Sequence, residues 1–400
     1  MSLFLNFLSE LQNPEKTRNF NVFKDYSLKE FEIEVERFNV STKQSSSYQP
    51  LRFSVIGTNG KGSTSFFLAE LLKESNPESC IGLYTSPHLL SPLERIITNG
   101  NPISETEADK VIEQLKEIDE SNLKKTSFFE CLTLMCLAYF RQKDCKFEIW
   151  EAGLGGRLDA TKVVQAEIMI LTKIGIDHSE ILGNTLEEIV FEKLNIASPK
   201  AKVIYSFPVS EPLKSHIERI ANSLNLKIKF FEMKSDSDYL QFNFNFAKWV
   251  LRDLNLLQLE KEITFDQIKK PKGRLETISK EPLILFDPAH NPDAVRNTIR
   301  DVRDRLGISK ACLLIGCLPD KDAISIWKEI KSYSWERIFF YEGPGFFQWS
   351  KHIQDATAET VQSPEELSKA ILSATTPILA LGSFRLYPIL TTLYQNNVNL

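Results

Sequence analysis

The chain has 400 residues, enough for two or three domains and a sizeable core. Its 42% hydrophobic and 25% charged content is that of an ordinary globular protein, and not of a disordered or fibrous one. A net charge of −5 gives no electrostatic footprint for nucleic acid, so no nucleic-acid partner is expected.

The first eleven residues lack the basic start of an export signal. The longest aromatic-aliphatic run, 128–140, is too short to cross a bilayer and contains Glu130, so no membrane partner is expected. The six cysteines form no CxxC pair, which argues against a zinc site and fits reduced thiols in a cytoplasmic protein.

From residue 51 to 205 short β-rich runs alternate with helical ones. Strands are predicted at 51–56, 80–84, 147–150, 168–171 and 203–205. Helices are predicted at 65–73, 105–118, 127–142 and 186–196, and one further helix at 242–257. The basic, turn-rich stretch 269–274 reads as a linker. A second alternation follows, with strands at 283–286, 311–315, 337–341 and 378–381 and helices at 294–306, 323–331 and 364–373. The fold class is therefore α/β. A mainly parallel sheet with a P-loop-type nucleotide site occupies residues 1–275, and a smaller Rossmann-like α/β domain occupies 276–400.

The loop Gly57-Thr58-Asn59-Gly60-Lys61-Gly62-Ser63-Thr64 joins the first strand to a helix. Glycines let backbone N–H groups approach phosphate oxygens, and the helix start adds unpaired donors and the positive end of its dipole. Lys61 adds a charge, and Ser63 or Thr64 a hydroxyl near a metal. Two residues, not four, separate the first Gly from Gly-Lys, so the strict Walker pattern is not met; a plain Gly-rich turn fits as well.

Other residues also follow predicted strands. Glu151 is a Mg²⁺ ligand or a solvated loop acid. The glycines at 153, 155 and 156 suit close backbone approach or a tight loop. His178 is a metal ligand, an acid/base or an ordinary loop histidine. His88, His178 and His290 share polar, turn-rich surroundings, which favours function. Lys193 lies on an amphipathic helix beside acids, and its spacing reads as surface.

Taken together, these segments resemble the folylpolyglutamate synthase/dihydrofolate synthase family of the Mur ligase group. The carrying residues are 57–64, Thr85-Ser86-Pro87-His88, Glu94-Arg95-Ile96, Glu151 to Thr161, Ile174 to His178 and Leu182 to Thr185. They continue through Glu192-Lys193, Gly273 to Glu276, Asp287 to Pro292, Asp320-Lys321-Asp322 and Gly382-Ser383-Phe384.

The resemblance implies an ATP-dependent ligase that joins L-glutamate to a dihydropteroate or reduced-folate carboxylate through an acyl phosphate. It implies that the 57–64 loop with Lys61 holds ATP phosphates, and that Ser86, Glu151 and His178 hold Mg²⁺. Lys193, as a carbamate, would hold a second Mg²⁺. Arg274 would contact nucleotide phosphate, Asp287 and His290 would reach the reaction cleft, and Asn245 would contact adenine. A monomer is expected.

The chain departs from the family where Gln241-Phe242 replaces a His-Gln pair, where Pro288 follows Asp287, after Lys193, and over 341–351. A peptidoglycan-precursor ligase is the alternative within the group, but only 56 residues precede Gly57, fewer than its substrate domain needs. A nucleotide-binding homologue with impaired catalysis is the other.

Overall fold

The structure is a computed structural model that describes residues 2–17, 27–41, 48–232, 238–257, 262–355 and 357–395. The chain forms two compact units. One comprises Met1–Ser235 with Gln241–Lys269, the other Asp236–Leu240 with Lys270–Leu400.

The first unit is built on β1 (Leu51–Ile56), β2 (Cys80–Tyr84), β3 (Ile96–Thr98), β4 (Asn101–Pro102), β5 (Cys145–Glu151), β6 (Ile168–Leu171), β7 (Val203–Ser206) and β8 (Lys227–Phe230). Their order in the sheet is β4-β3-β2-β5-β1-β6-β7-β8. The β2–β3 and β3–β4 pairs are antiparallel; the other neighbours are parallel. β1, β5 and β6 lie centrally and read as near-continuous apolar runs because helices cover both faces. At the edge, β8 alternates exposed lysines with half-buried Ile228 and Phe230, which keeps that edge from pairing further.

Helix starts are fixed chemically. Ser104 with Glu107, Ser127 with Glu130 and Thr185 with Glu188 each form a reciprocal capping box. Helices follow over Glu105–Leu123, Phe128–Gln142 and Leu186–Leu194.

The second unit carries β9 (Glu276–Lys280), β10 (Leu283–Phe286), β11 (Cys312–Ile315), β12 (Ile338–Tyr341), β13 (Ala358–Val361) and β14 (Ile378–Leu381), ordered β13-β12-β11-β14-β10-β9. Only β9 is antiparallel. The helix expected over 294–306 is α-helical over Pro292–Arg300 and continues as a π turn over Asp301–Arg305. There Leu306 N–H reaches back five residues to the Asp301 carbonyl.

Candidate active site

β1 runs in the middle of its sheet, between β5 and β6, and delivers the phosphate-type loop at its carboxyl end. Gly57 has φ +146°, and a Cβ there would lie 2.0 Å from Thr172 Oγ1, so no larger residue fits. Gly60 takes the left-handed conformation at φ +90° as N-cap of the helix Lys61–Ser75. The backbone N–H groups of Thr58 and Asn59 donate to the Lys173 carbonyl at 2.8 and 3.1 Å. Thr58 Oγ1 donates to the Gly175 carbonyl at 2.9 Å and accepts from Gly175 N–H at 3.1 Å. The turn is thus pinned to the segment after β6.

Lys61 Nζ curls over the turn and donates to the Gly57 and Thr58 carbonyls at 3.1 and 3.4 Å. Behind it, Thr64 Oγ1, Ser65 Oγ and Asn243 Nδ2 are buried without a hydrogen-bond partner among the described residues. Buried polar atoms normally find one, so a helix start with orphaned groups, a glycine turn and a lysine suits a polyanion.

Glu151 ends β5 opposite Val55 of β1. It is 3% exposed, and its Oε2 accepts from Ser86 N–H at 3.0 Å. Both carboxylate oxygens lie 3.3 Å from where a Gly62 Cβ would stand. The loop, Ser86 and Glu151 are therefore brought together, and a carboxylate and a hydroxyl beside a phosphate loop are hard oxygen donors suited to Mg²⁺.

His178 has φ +51° and caps the short helix Ser179–Leu182; its backbone N–H donates to Asp177 Oδ1 at 3.0 Å. Lys193, expected from spacing to be a surface residue, is buried at 4% exposure. Burial, and then the nearby Lys61 charge, push its amine down to about 7, while Asp177, Asp159 and Glu192 pull the other way. Lys193 thus lies within electrostatic reach of Lys61. Among the described residues no three His, Cys, Asp or Glu side chains gather as a metal cluster.

Asn245, the expected adenine contact, lies on the helix Tyr239–Asp253, and Asn243 of the same helix is set against the loop. A Cβ on Gly60 would lie 3.2 Å from Asn243 Oδ1. Two residues apart on one helix, Asn243 and Asn245 point about 160° apart. Sequence reasoning also passed over the Arg95 cluster. Arg95, 1% exposed, grips Glu15 with both Nη atoms at 3.0 and 2.5 Å and donates from Nε to His88 Nδ1 at 2.9 Å. Burial, then the Arg95 charge, push His88 down to about 4, so its imidazole stays neutral with the proton on Nε2.

The second unit holds the remaining expected residues. Asp287 is buried, accepting from Leu275 N–H at 3.1 Å, Ala289 N–H at 3.0 Å, Thr298 Oγ1 at 3.4 Å and the Tyr239 hydroxyl. Burial raises its carboxyl pKa against the pull of the Arg274 charge. His290 donates from Nδ1 to the Pro288 carbonyl at 2.8 Å, and Arg274 stacks on Phe384 with 4.9 Å to the ring centroid.

Residues 55–269 match the family described as the Mur ligase middle domain, and residues 273–383 the one described as Mur ligase, glutamate ligase domain. The chain is 29% identical over 320 residues to a dihydrofolate synthase/folylpolyglutamate synthase of Bacillus subtilis, covering 70% of this chain and 74% of that protein. It is 30% identical over 299 residues to the same enzyme of Buchnera aphidicola from Schizaphis graminum, covering 68% and 70%. A solved bifunctional folylpolyglutamate synthase/dihydrofolate synthase, with Mn, AMPPNP and L-glutamate bound, superposes with a TM-score of 0.76. That match has 24% identity and covers 99% of this chain and 97% of the other.

Proposed function

The chain belongs to the dihydrofolate synthase/folylpolyglutamate synthase family of the Mur ligases, and from that premise we infer how its own residues divide the work of ligation. The protein is an ATP-dependent ligase that forms an amide bond to L-glutamate, and it uses a divalent metal. The γ-phosphoryl group of ATP transfers to a dihydropteroate or folate carboxylate, releasing ADP and giving an acyl phosphate; the glutamate amine attacks its carbonyl carbon, loses a proton, and inorganic phosphate leaves as the amide forms.

The observation that carries the reading is the glycine turn with orphaned Thr64 and Ser65 hydroxyls behind it and Lys61 above it. The loop amides and Lys61 hold the phosphates and meet the charge that builds on them. Ser86 and Glu151 hold a Mg²⁺, with His178 as a further ligand, and the ion neutralises phosphate charge. Lys193 serves a second Mg²⁺ after carbamylation; an amine whose pKa lies near 7 is largely uncharged in mild alkali, the form that adds CO₂. Arg274 contacts nucleotide phosphate, and His290 offers Nε2 toward substrate. Asp287, with its donors already engaged, acts as a positioning residue for the 275–289 segment. The resemblance supports a monomer. Among the described residues no helix is long and apolar enough to cross a membrane; the resemblance supports a cytoplasmic enzyme.

The test is ADP release that depends on glutamate, with dihydropteroate compared against tetrahydrofolate. Lys61→Ala is expected to lower turnover by roughly 100-fold or more with the circular dichroism spectrum unchanged. A fully active Lys61→Ala protein, or no glutamate-dependent ADP release with either acceptor, rules the reading out.

A further inference from the structure

The starts of β2 and β5 carry a second chemical feature, at the opposite strand ends from Ser86 and Glu151. Cys80 and Cys145 are register partners on these parallel neighbours, with a ladder irregularity right after Cys80. Their Sγ atoms are 3.1 Å apart, and both are free thiols. A disulfide needs about 2.05 Å, so closure asks for about 1 Å of approach. Cys145 is fully buried, whereas Cys80 is partly exposed after the turn at Asn76–Ser79.

We propose that Cys80 and Cys145 form a reversible redox modification site, a dithiol that closes to a disulfide when a low-molecular-weight disulfide oxidises it. Cys80, the accessible thiol, loses its proton and attacks one sulfur of the oxidant, releasing one thiolate and leaving a mixed disulfide. Cys145 then gives up its proton and attacks Cys80 Sγ, expelling the second thiolate. Two protein thiols become one disulfide, the oxidant is reduced to two thiols, and no other reagent is consumed.

The order of attack follows from the surroundings. A hydrogen bond from Cys145, and then the Lys143 charge, lower the Cys80 thiol pKa, while the same contact and burial raise that of Cys145. Burial raises the thiols of Cys131, Cys136 and Cys317 as well, and these lack an exposed partner.

The native full-length chain is incubated with excess oxidised glutathione at about pH 8, quenched in acid, alkylated and digested. The expected product has lost two hydrogens, yields a peptide linking Cys80 to Cys145, and regains both thiols with dithiothreitol. Cys145→Ser is expected to keep one glutathione on Cys80, and Cys80→Ser to keep none at this pair. A wild-type protein that keeps glutathione on Cys80, links through other cysteines, or does not react overturns the proposal.

Discussion

At Gly60 the backbone leaves no choice of side chain. Its φ of +90° costs an L-residue roughly 1–2 kcal/mol, and the Asn243 amide stands 3.2 Å from where a Cβ would go. Gly60→Ala is therefore expected to lower stability by roughly 1–2 kcal/mol and to raise KM for ATP, because the turn must shift. Urea unfolding and ADP-release kinetics measure the two effects; an unchanged midpoint together with an unchanged KM contradicts the account.

The glycines were legible in the sequence because a left-handed turn is written in residue type. The burial of Lys193, which only the resemblance singled out, was not, because its depressed amine depends on burial and on Lys61, two tertiary facts that helix spacing cannot carry. Asn243 stayed hidden for a related reason. Its approach to the loop depends on the rotational phase of the helix Tyr239–Asp253, which sequence alone does not fix. Arg95, read only as part of a motif, is a buried guanidinium whose partner, Glu15, lies 80 residues away.

At the scale of elements, what was legible had local chemistry behind it. The helices at 105, 128 and 186 begin at Ser or Thr followed three residues later by Glu. The central strands announced themselves by apolar runs. The short edges β3, β4, β8, β9 and β13 did not, since their half-exposed sequences resemble loops and only pairing makes them strands.

The β8 edge is tied down by Asp253, at the end of the helix Tyr239–Asp253. Its carboxylate accepts from Tyr205 Oη of β7 at 2.5 Å and from Lys229 Nζ of β8 at 2.6 Å. The Lys229 bond first, and the Tyr205 bond next, hold its pKa below the ordinary carboxylate value. A folded pKa below the unfolded one stabilises above about pH 4, and that stability is lost as pH falls through the folded value. Asp253 is about a quarter exposed, so solvent discounts the pair. Asp253→Asn is expected to cost ~1 kcal/mol at pH 7, with the gap to wild type narrowing as the pH is lowered through the carboxylate range to about pH 2. Urea midpoints at the two pH values decide; a gap that ignores pH assigns the effect to packing instead.

At the scale of the whole molecule, the two alternations of strand and helix already separate two sheets, each with its own buried core. Residues 236–240 are the exception to a simple division along the chain, because they belong with the second unit. Tyr239 explains why. Its backbone N–H donates to Asp301 Oδ2 at 2.9 Å, and its hydroxyl donates to Asp287. No local pattern announces such a tie, since it is made over separations of 62 and 48 residues.

Tyr239→Phe removes one donor from the buried Asp287 carboxylate while leaving the ring in place, so it is expected to cost about 1–3 kcal/mol. The loss falls on the second unit alone. Native-state hydrogen exchange is expected to quicken for the amides of β10, β11 and β14 and to stay unchanged for those of β1, β5 and β6. Equal acceleration in both sheets instead means that the two units open as one cooperative body.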